Sequence, residues 1–456
     1  MRITPRWLLV SCFALCVALP VRAAQAPSTT PAVSASATPA SPVQPAVSSS
    51  TAAAYSLSAG KLAQARALGR IRTALDITGS LWGLGFLWLL LAAGWAARLS
   101  AWTLDITRRR WLQGLLFFAL FFLLSTLAGL PLDAMGHAAS LHYGISVQGW
   151  GSWLADQGKG LALSLVLGPP ILLLFNWLVR VLPRFYWIAV WLVVLPLMLA
   201  GIFATPLVID PLFNKFEPLM AHHASLVAKL ETVVARTGNR IPPERMFLMK
   251  ASAKSNGLNA YVTGIGASKR YVMWDTVTDR LPDDEVMFLF GHESGHYVLN
   301  HIAKMIAGSA VALLFGFWLC SGFTRWLVGR KAAAWGFAAS PEAVAPEATR
   351  PGFLVLLLAL SLVSFFTQPA SNAISRHFEH QADVYGQEAM HGLVPDPAGT
   401  AVSAFNHLGE AWLEDPDPNP VVEFWEYNHP SVQKRATFAA HYDPWTNEGH
   451  GEFFGK

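Results

Sequence analysis

Six long apolar stretches organise the chain, at about 77–99, 111–130, 161–182, 186–204, 303–327 and 352–366. The first four approach or exceed the roughly 20 residues that a helix needs to cross hydrocarbon, and the last two complete a set of six expected spans. Gly168-Pro169-Pro170 and Pro196 interrupt two of the stretches. Proline frees backbone carbonyls that neighbours or water must satisfy, so these helices are expected to kink, beside a wet cavity or at a packing contact. Between the fourth and fifth stretches, 210–302 changes to a water-facing pattern. Residues 246–250 and 270–277 read as short strands, the second alternating around Tyr271, Met273 and Asp275. Pro282, followed by Asp283, Asp284 and Glu285, starts a helix whose pattern runs to Val298. From 369 to 456 the chain is polar and rich in aromatic residues.

The first residues have another character. Arg2 and Arg6 precede an apolar run over 7–19 and small-residue cleavage sites, so 1–24 reads as an export signal, or as an uncleaved first membrane helix. Residues 25–54 are almost wholly Ala, Ser, Pro, Thr and Val, a composition expected of a flexible linker.

Composition sharpens the membrane reading. Apolar residues make up 53% and charged residues 14%, against about 25% charged in ordinary soluble domains, so lipid is part of the solvent. The net charge of +4 is spread over the ends of apolar runs, which argues against nucleic acid as a partner. Cys12, Cys16 and Cys320 include no Cys-x-x-Cys pair, so any metal is held by imidazole and carboxylate. Arg98, Arg108, Arg109, Arg110, Arg180, Arg184, Arg325, Arg330 and Lys331 fall on one side of the spans, and Lys61, Arg66, Arg70, Arg72 and Lys159 on the other. The richer set is expected in the cytoplasm, which places 210–302 on an outer, periplasm-like side, as a signal does.

The chemistry concentrates in Gly291-His292-Glu293-Ser294-Gly295-His296. His292 and His296 are one helical turn apart, so both imidazoles can reach one ion, and Glu293 sits where its carboxylate can take a proton from a metal-bound water. Gly291 and Gly295 disfavour a helix, and Gly295 fits a close approach by metal or substrate. A third ligand is needed. Asn372, Arg376, Glu379 and Asp383 recur at helical spacing after the last apolar run, and Glu379 is the best donor. On this reading Arg376 keeps Glu379 ionised and oriented, while Asp383 accepts a hydrogen bond from a ligating histidine. His377 and His380 compete as ligands, although each points about a quarter turn away. Two histidines, one glutamate and an open position make a catalytic zinc site, with one ion per chain.

At this point the chain resembles the type 1 CAAX prenyl proteases, multispan membrane zinc peptidases of the gluzincin kind. The resemblance runs from about Tyr55 to the C-terminus. It rests on the metal motif, Asp210-Pro211-Leu212-Phe213-Asn214-Lys215-Phe216, Asn259-Ala260-Tyr261-Val262-Thr263-Gly264, Ser375-Arg376 with Glu379 and Asp383, and Asn428-His429-Pro430-Ser431. It implies zinc on His292, His296 and Glu379, with Glu293 as general base. It also implies Asp383 as proton donor or partner of a ligand, His429 on the scissile carbonyl with Arg435 in the same motif, and substrate paired along a strand at Asn259 and Tyr261. The fold it implies is mainly α, a ring of membrane helices around a water-filled chamber, capped by a zincin-type α+β domain. The family has seven spans, and here a signal-like segment and linker stand in place of the first.

The expected organisation is a signal over 1–24, a linker over 25–54, a multispan domain over 55–206, a zinc peptidase domain over 207–440 that includes two membrane helices (about 303–327 and 352–368), and a tail over 441–456. The expected activity is hydrolysis of peptides or membrane proteins by a monomer in a lipid bilayer. The alternative is a non-catalytic scaffold or transporter with a structural zinc.

Overall fold

The computed structural model describes residues 54–338, 345–447 and 449–455. The signal, nearly all of the linker, Cys12 and Cys16 lie outside the described residues. Helix α1 spans Ala59–Ala92, α2 Trp95–Ile106, α3 Arg110–His142, α4 Trp150–Val181 and α5 Tyr186–Ala204, which continues through a π-helical turn to Phe213. Strand β1 (Phe216–Pro218), α6 (Ala224–Thr237), β2 (Met246–Met249), β3 (Ala260–Thr263) and β4 (Arg270–Trp274) follow. Then come α7 (Asp283–Val298), α8 (His301–Lys331), α9 (Arg350–Met390), α10 (Pro397–Trp412), α11 (Pro420–Glu426) and α12 (Val432–His441).

Six helices among the described residues are long and apolar enough to cross a membrane: α1, α3, α4, α5 with its extension, α8 and α9. Their outer faces carry large apolar side chains that no protein covers, such as Phe315 at 64% and Trp318 at 57% exposure, as lipid-facing surface requires. Pro169, Pro170 and Pro196 sit inside continuous helices and end none of them. The inner faces meet in a core that includes Phe117, Phe118, Phe121, Phe353 and Leu357.

The second core belongs to the water-facing part. Its sheet has the order β1-β2-β4-β3; β2 and β4 are parallel and the other two pairs antiparallel, with Tyr261 opposite Val272 and Val262 opposite Tyr271. The alternation expected along β4 is not realised, since all five residues are buried and Asp275 begins a short helix. Both faces are covered: Tyr271 meets Phe290 of α7, with ring centroids 4.7 Å apart, and Trp274 meets Trp412 of α10 at 6.2 Å. Strand β3 is left at the edge. Tyr55 is buried in this same core, where its backbone N–H donates to Gln433 Oε1, so the start of the described chain is pinned to the end of the fold.

Up-and-down threading puts the turns after α1, α4 and α8 at one end of the bundle and the sheet at the other. At the first end, Gly94 lies beside the Trp335 carbonyl, and Arg350 donates to Ser100 and Gln113. At the sheet end, Lys61 pairs with Glu410, Arg66 with Asp415 and Lys159 with Asp156.

Candidate metal centre

Two helices build the site. Helix α7 starts as the sequence indicates, with Pro282 at its N-cap and three acids in its first turn. It carries His292 and His296 across the face of α9, whose apolar half is anchored in the membrane core and whose polar half runs on to Met390. The helices approach closely because glycines face the crossing. A Cβ on Gly386 would lie 2.9 Å from His292 N, one on Gly295 3.0 Å from Tyr385 Cβ, and one on Gly291 3.3 Å from Met390 Cε. The expectation for Gly295 is thereby corrected: what approaches it is α9, at Tyr385, and not metal or substrate.

This crossing brings His292, His296 and Glu379 together as a metal-capable group. His292 Nε2 lies 3.2 Å from His296 Nε2 and 3.4 Å from Glu379 Oε2, and His296 Nε2 lies 3.4 Å from Glu379 Oε1. Donors about 2.0–2.1 Å from one tetrahedral ion stand about 3.3–3.4 Å apart, so these side chains have the spacing of one coordination sphere. Glu379 Oε2 is buried and makes no hydrogen bond, an orphaned anionic oxygen that a cation would satisfy. The competing histidines are elsewhere: His377 is exposed, and His380 packs its ring on Phe438 at 4.5 Å.

Around the donors, His292 Nδ1 lies 2.9 Å from Asp383 Oδ1. Arg435 of α12 holds Asp383 with two hydrogen bonds, Nε to Oδ2 at 2.9 Å and Nη2 to Oδ1 at 2.6 Å, and its Nη2 lies 3.8 Å from Glu379 Oε2. His429 reaches in from the rim, with Nε2 3.2 Å from Glu379 Oε1 and half of its side chain exposed. Glu293 Oε2 accepts the Val262 N–H of β3 at 3.1 Å. Burial pushes the Glu293 carboxyl up to about 7 and His296 down to about 3. Burial also opposes charge on His292, but the Asp383 and Glu379 carboxylates on its two sides raise it to about 10. The Asp383 and Glu379 carboxylates thus favour positive charge at His292, whereas burial resists it at His296.

Two expectations shift. Arg376 does not touch Glu379: its guanidinium donates to the carbonyls of Glu423 and Tyr427, and Asn372 Nδ2 donates to the Trp425 carbonyl at 2.6 Å. The polar face of α9 thus holds α11 and the segment leading to His429, and the arginine beside Glu379 is Arg435. Asn259 passes its carbonyl to Trp274 N, and Tyr261 is buried at 4% exposure. Since Val262 turns its N–H away from β4, Ala260 and Val262 present their backbone groups at the free edge of β3, while Tyr261 faces β4.

His301 and Gln381 are residues that sequence reasoning passed over. His301 Nδ1 lies 3.1 Å from His296 Nδ1, and His301 Nε2 lies 3.1 Å from Gln381 Oε1. The signal for His301 was Asn300, which takes a left-handed conformation (φ 57°) and folds the chain back beneath His296.

Residues 45–215 match the family described as CAAX prenyl protease N-terminal, five membrane helices, and residues 221–443 match peptidase family M48. The chain is 34% identical over 351 residues to an uncharacterized metalloprotease of Bacillus subtilis, YhfN, covering 77% of this chain and 79% of that one. It is 29% identical to CAAX prenyl protease 1 of Saccharomyces cerevisiae, covering 71% of each. A crystal structure of Ste24p from S. mikatae shares the fold, with a TM-score of 0.71 at 24% identity over 84% of this chain and 89% of that one. The chain belongs to the type 1 CAAX prenyl protease family within peptidase family M48, and is a multispan membrane metalloprotease.

Proposed function

We propose that the metal is zinc, one ion per chain, held by His292, His296 and Glu379, and that Glu293 is the general base for hydrolysis of peptide bonds. The observation that carries this reading is the convergence of three donors within 3.4 Å of one another beside a buried carboxylate tied to an edge strand. Zinc in a His/His/Glu site with an open position supplies a Lewis acid that brings the pKa of a coordinated water towards about 7. The chain's own residues do the rest. Val262 N–H fixes the Glu293 carboxylate through Oε2, and burial tunes that carboxyl to carry a proton near neutrality, from the water to the departing amine. Ala260 offers its N–H and C=O and Val262 its C=O, the Val262 N–H being held by Glu293, so an extended substrate backbone adds to β3 as a further strand. His429, exposed at the rim and within reach of Glu379, donates to the scissile carbonyl. Asp383 holds His292 by Nδ1, and Arg435 holds Asp383.

The substrates are peptides or segments of membrane proteins, reached by a monomer. C-terminal processing of the CAAX kind, which the name of the yeast relative describes, is a narrower form of the same activity. The peptidase end faces the periplasm-like side. In support, the turns at the opposite end carry the richer set of basic residues, Arg98, Arg108, Arg109, Arg110, Arg180, Arg184, Arg325, Arg330 and Lys331. Cleavage of the signal over 1–24 accords with that orientation.

Purified protein is expected to cleave a peptide, to lose activity to a chelator and recover it with zinc. Glu293→Gln should be inactive with zinc still bound. Activity that survives Glu293→Gln refutes the role of the base, and a silent substitution with destabilising His296→Ala points to a structural metal. A tag after Lys456 should be open to added protease in intact cells if the orientation is correct, and protected if it is reversed.

A further inference from the structure

We infer that His301 and Gln381 form a one-way hydrogen-bond relay that fixes the tautomer and direction of His296, making His301 a positioning residue for the metal. The inference rests on the assignment of His296 as a ligand through Nε2. That nitrogen faces His292 and Glu379 at 3.2 and 3.4 Å. A neutral imidazole that offers the Nε2 lone pair carries its proton on Nδ1. His296 Nδ1 meets His301 Nδ1 at 3.1 Å, and one proton stands between two such nitrogens, so His296 donates and His301 accepts. A neutral His301 accepting at Nδ1 carries its own proton on Nε2. There it meets Gln381 Oε1 at 3.1 Å, an acceptor. Every step in the relay has one polarity, set by an amide oxygen at its far end.

The packing supports an evolved arrangement and not an incidental contact. His301 is fully buried, and its ring stacks on Phe378 with centroids 4.4 Å apart and planes 13° from parallel. It is the first residue of α8, placed by the left-handed turn at Asn300, while Gln381 stands two residues beyond Glu379 on α9. The relay therefore ties the helix bearing the histidines to the helix bearing the glutamate through a third element. It also makes the two ligands unlike: His292 leans on the Asp383 carboxylate, whereas His296 leans on a neutral ring. Ligating histidines commonly donate their second N–H to a carboxylate, a carbonyl or water, and loss of that partner costs about 10–100-fold in metal affinity or activity.

The test measures metal binding by the purified full chain, stripped of metal, through zinc titration against a competing chelator and through the visible absorption of bound cobalt(II). His301→Phe keeps a ring on Phe378 but removes the acceptor. His301→Asn places an amide oxygen near the former Nδ1. His301→Phe is expected to weaken zinc binding by about 10–100-fold and to shift the cobalt(II) bands, and His301→Asn to recover most of the affinity. Gln381→Glu should bind at least as tightly as the unaltered chain, and Gln381→Leu less tightly. Binding by His301→Phe equal to that of the unaltered chain overturns the relay, as does an equal loss in His301→Phe and His301→Asn tracking lowered thermal stability. His292→Ala separates the two levels of the argument. If the unaltered chain binds one ion and His292→Ala none, a failed His301 series sinks the relay alone; if the unaltered chain binds none, the ligand assignment fails with it.

Discussion

The crossing of α7 and α9 makes a sharp prediction about a glycine that touches no substrate. In Gly386→Ala the new Cβ would lie 2.9, 3.1 and 3.3 Å from His292 N, Cα and Cβ. These atoms are backbone or next to it, so no rotamer change clears them. Ordinary contact begins near 3.4 Å, and the helices must part by about half an ångström. Glu379 lies two turns earlier on the same helix and moves with it, while a metal sphere tolerates roughly 0.2 Å. Overpacking costs about 1–3 kcal/mol, and a close approach to main chain belongs near the top of that range. Against it stands a helix-propensity gain of about 1 kcal/mol for alanine over glycine. Sterics win, with a net loss of about 1–2 kcal/mol.

The assay is zinc affinity by chelator competition, with thermal unfolding alongside. Gly386→Ala should bind zinc on the order of tenfold more weakly and melt earlier. Gly69→Ala in α1 is the control of opposite sign, because its Cβ would meet only Asp415 Cβ at 3.9 Å. It should leave zinc affinity alone and raise stability by up to about 1 kcal/mol. Unchanged zinc affinity in Gly386→Ala would refute the claim that this crossing sets the donor spacing.

Three further outcomes follow from single contacts. Arg435→Met strands the buried Asp383 carboxylate, with only His292 left to it, and should lower stability by about 3 kcal/mol, partly recovered in Arg435→Lys; an unshifted melting curve counts against it. Arg376→Met frees the segment before His429, and should raise KM several-fold at unchanged zinc content; zinc loss instead would return Arg376 to the metal site. Removing 449–456 takes from the buried Glu388 the amide donors of Glu452, Phe453 and Phe454, at about 1.5–3 kcal/mol per charged hydrogen bond, so the truncated chain should melt earlier, and Glu388→Met in that background should restore part of the loss.

What could be read in the sequence was mostly local. His292, Glu293 and His296 lie within one turn and a half, so their shared face follows from helix geometry alone. Glu379 was legible because polar residues recur at helical spacing directly after an apolar run. The length of α9 was not, since the apolar pattern ends near 366 while the helix continues to Met390. Its later part buries Asp383, Gln387 and Glu388, each held by a partner from the C-terminal region that no local pattern announces. The same limit misplaced Arg376. Sequence adjacency put it beside Glu379, whereas the arginine that does the work comes from α12, 56 positions after Glu379. Gly295 of α7 reads from sequence as a close approach by metal or substrate, but the approaching body is a helix. His301 escaped notice because a helix ends between it and His296, and a period of 3.6 says nothing across such a break.

On the proposed ligand set, the placement of Glu379 couples the site to the membrane. Over Phe353–Leu360 every residue of α9 is buried, so the bundle fixes the axis of that helix. Helix α7 takes its position from the sheet, through Phe290 on Tyr271, and from α10, through Phe288 on Phe405 at 5.4 Å. The segment of α9 bearing Glu379 is therefore held from both sides, by the bundle before it and by the peptidase core that takes in Ala389 and Met390 after it, and the glycine crossing is where both constraints must hold at once. A free peptidase region cut away from its spans would keep the histidines but lose one of the two anchors of the glutamate. Conditions that loosen the bundle should thus weaken zinc binding before they unfold the sheet. Raising the concentration of a harsh detergent while following zinc release and tryptophan fluorescence together tests this directly. Zinc release that comes only with loss of the sheet would show that α9 is held from the peptidase side alone.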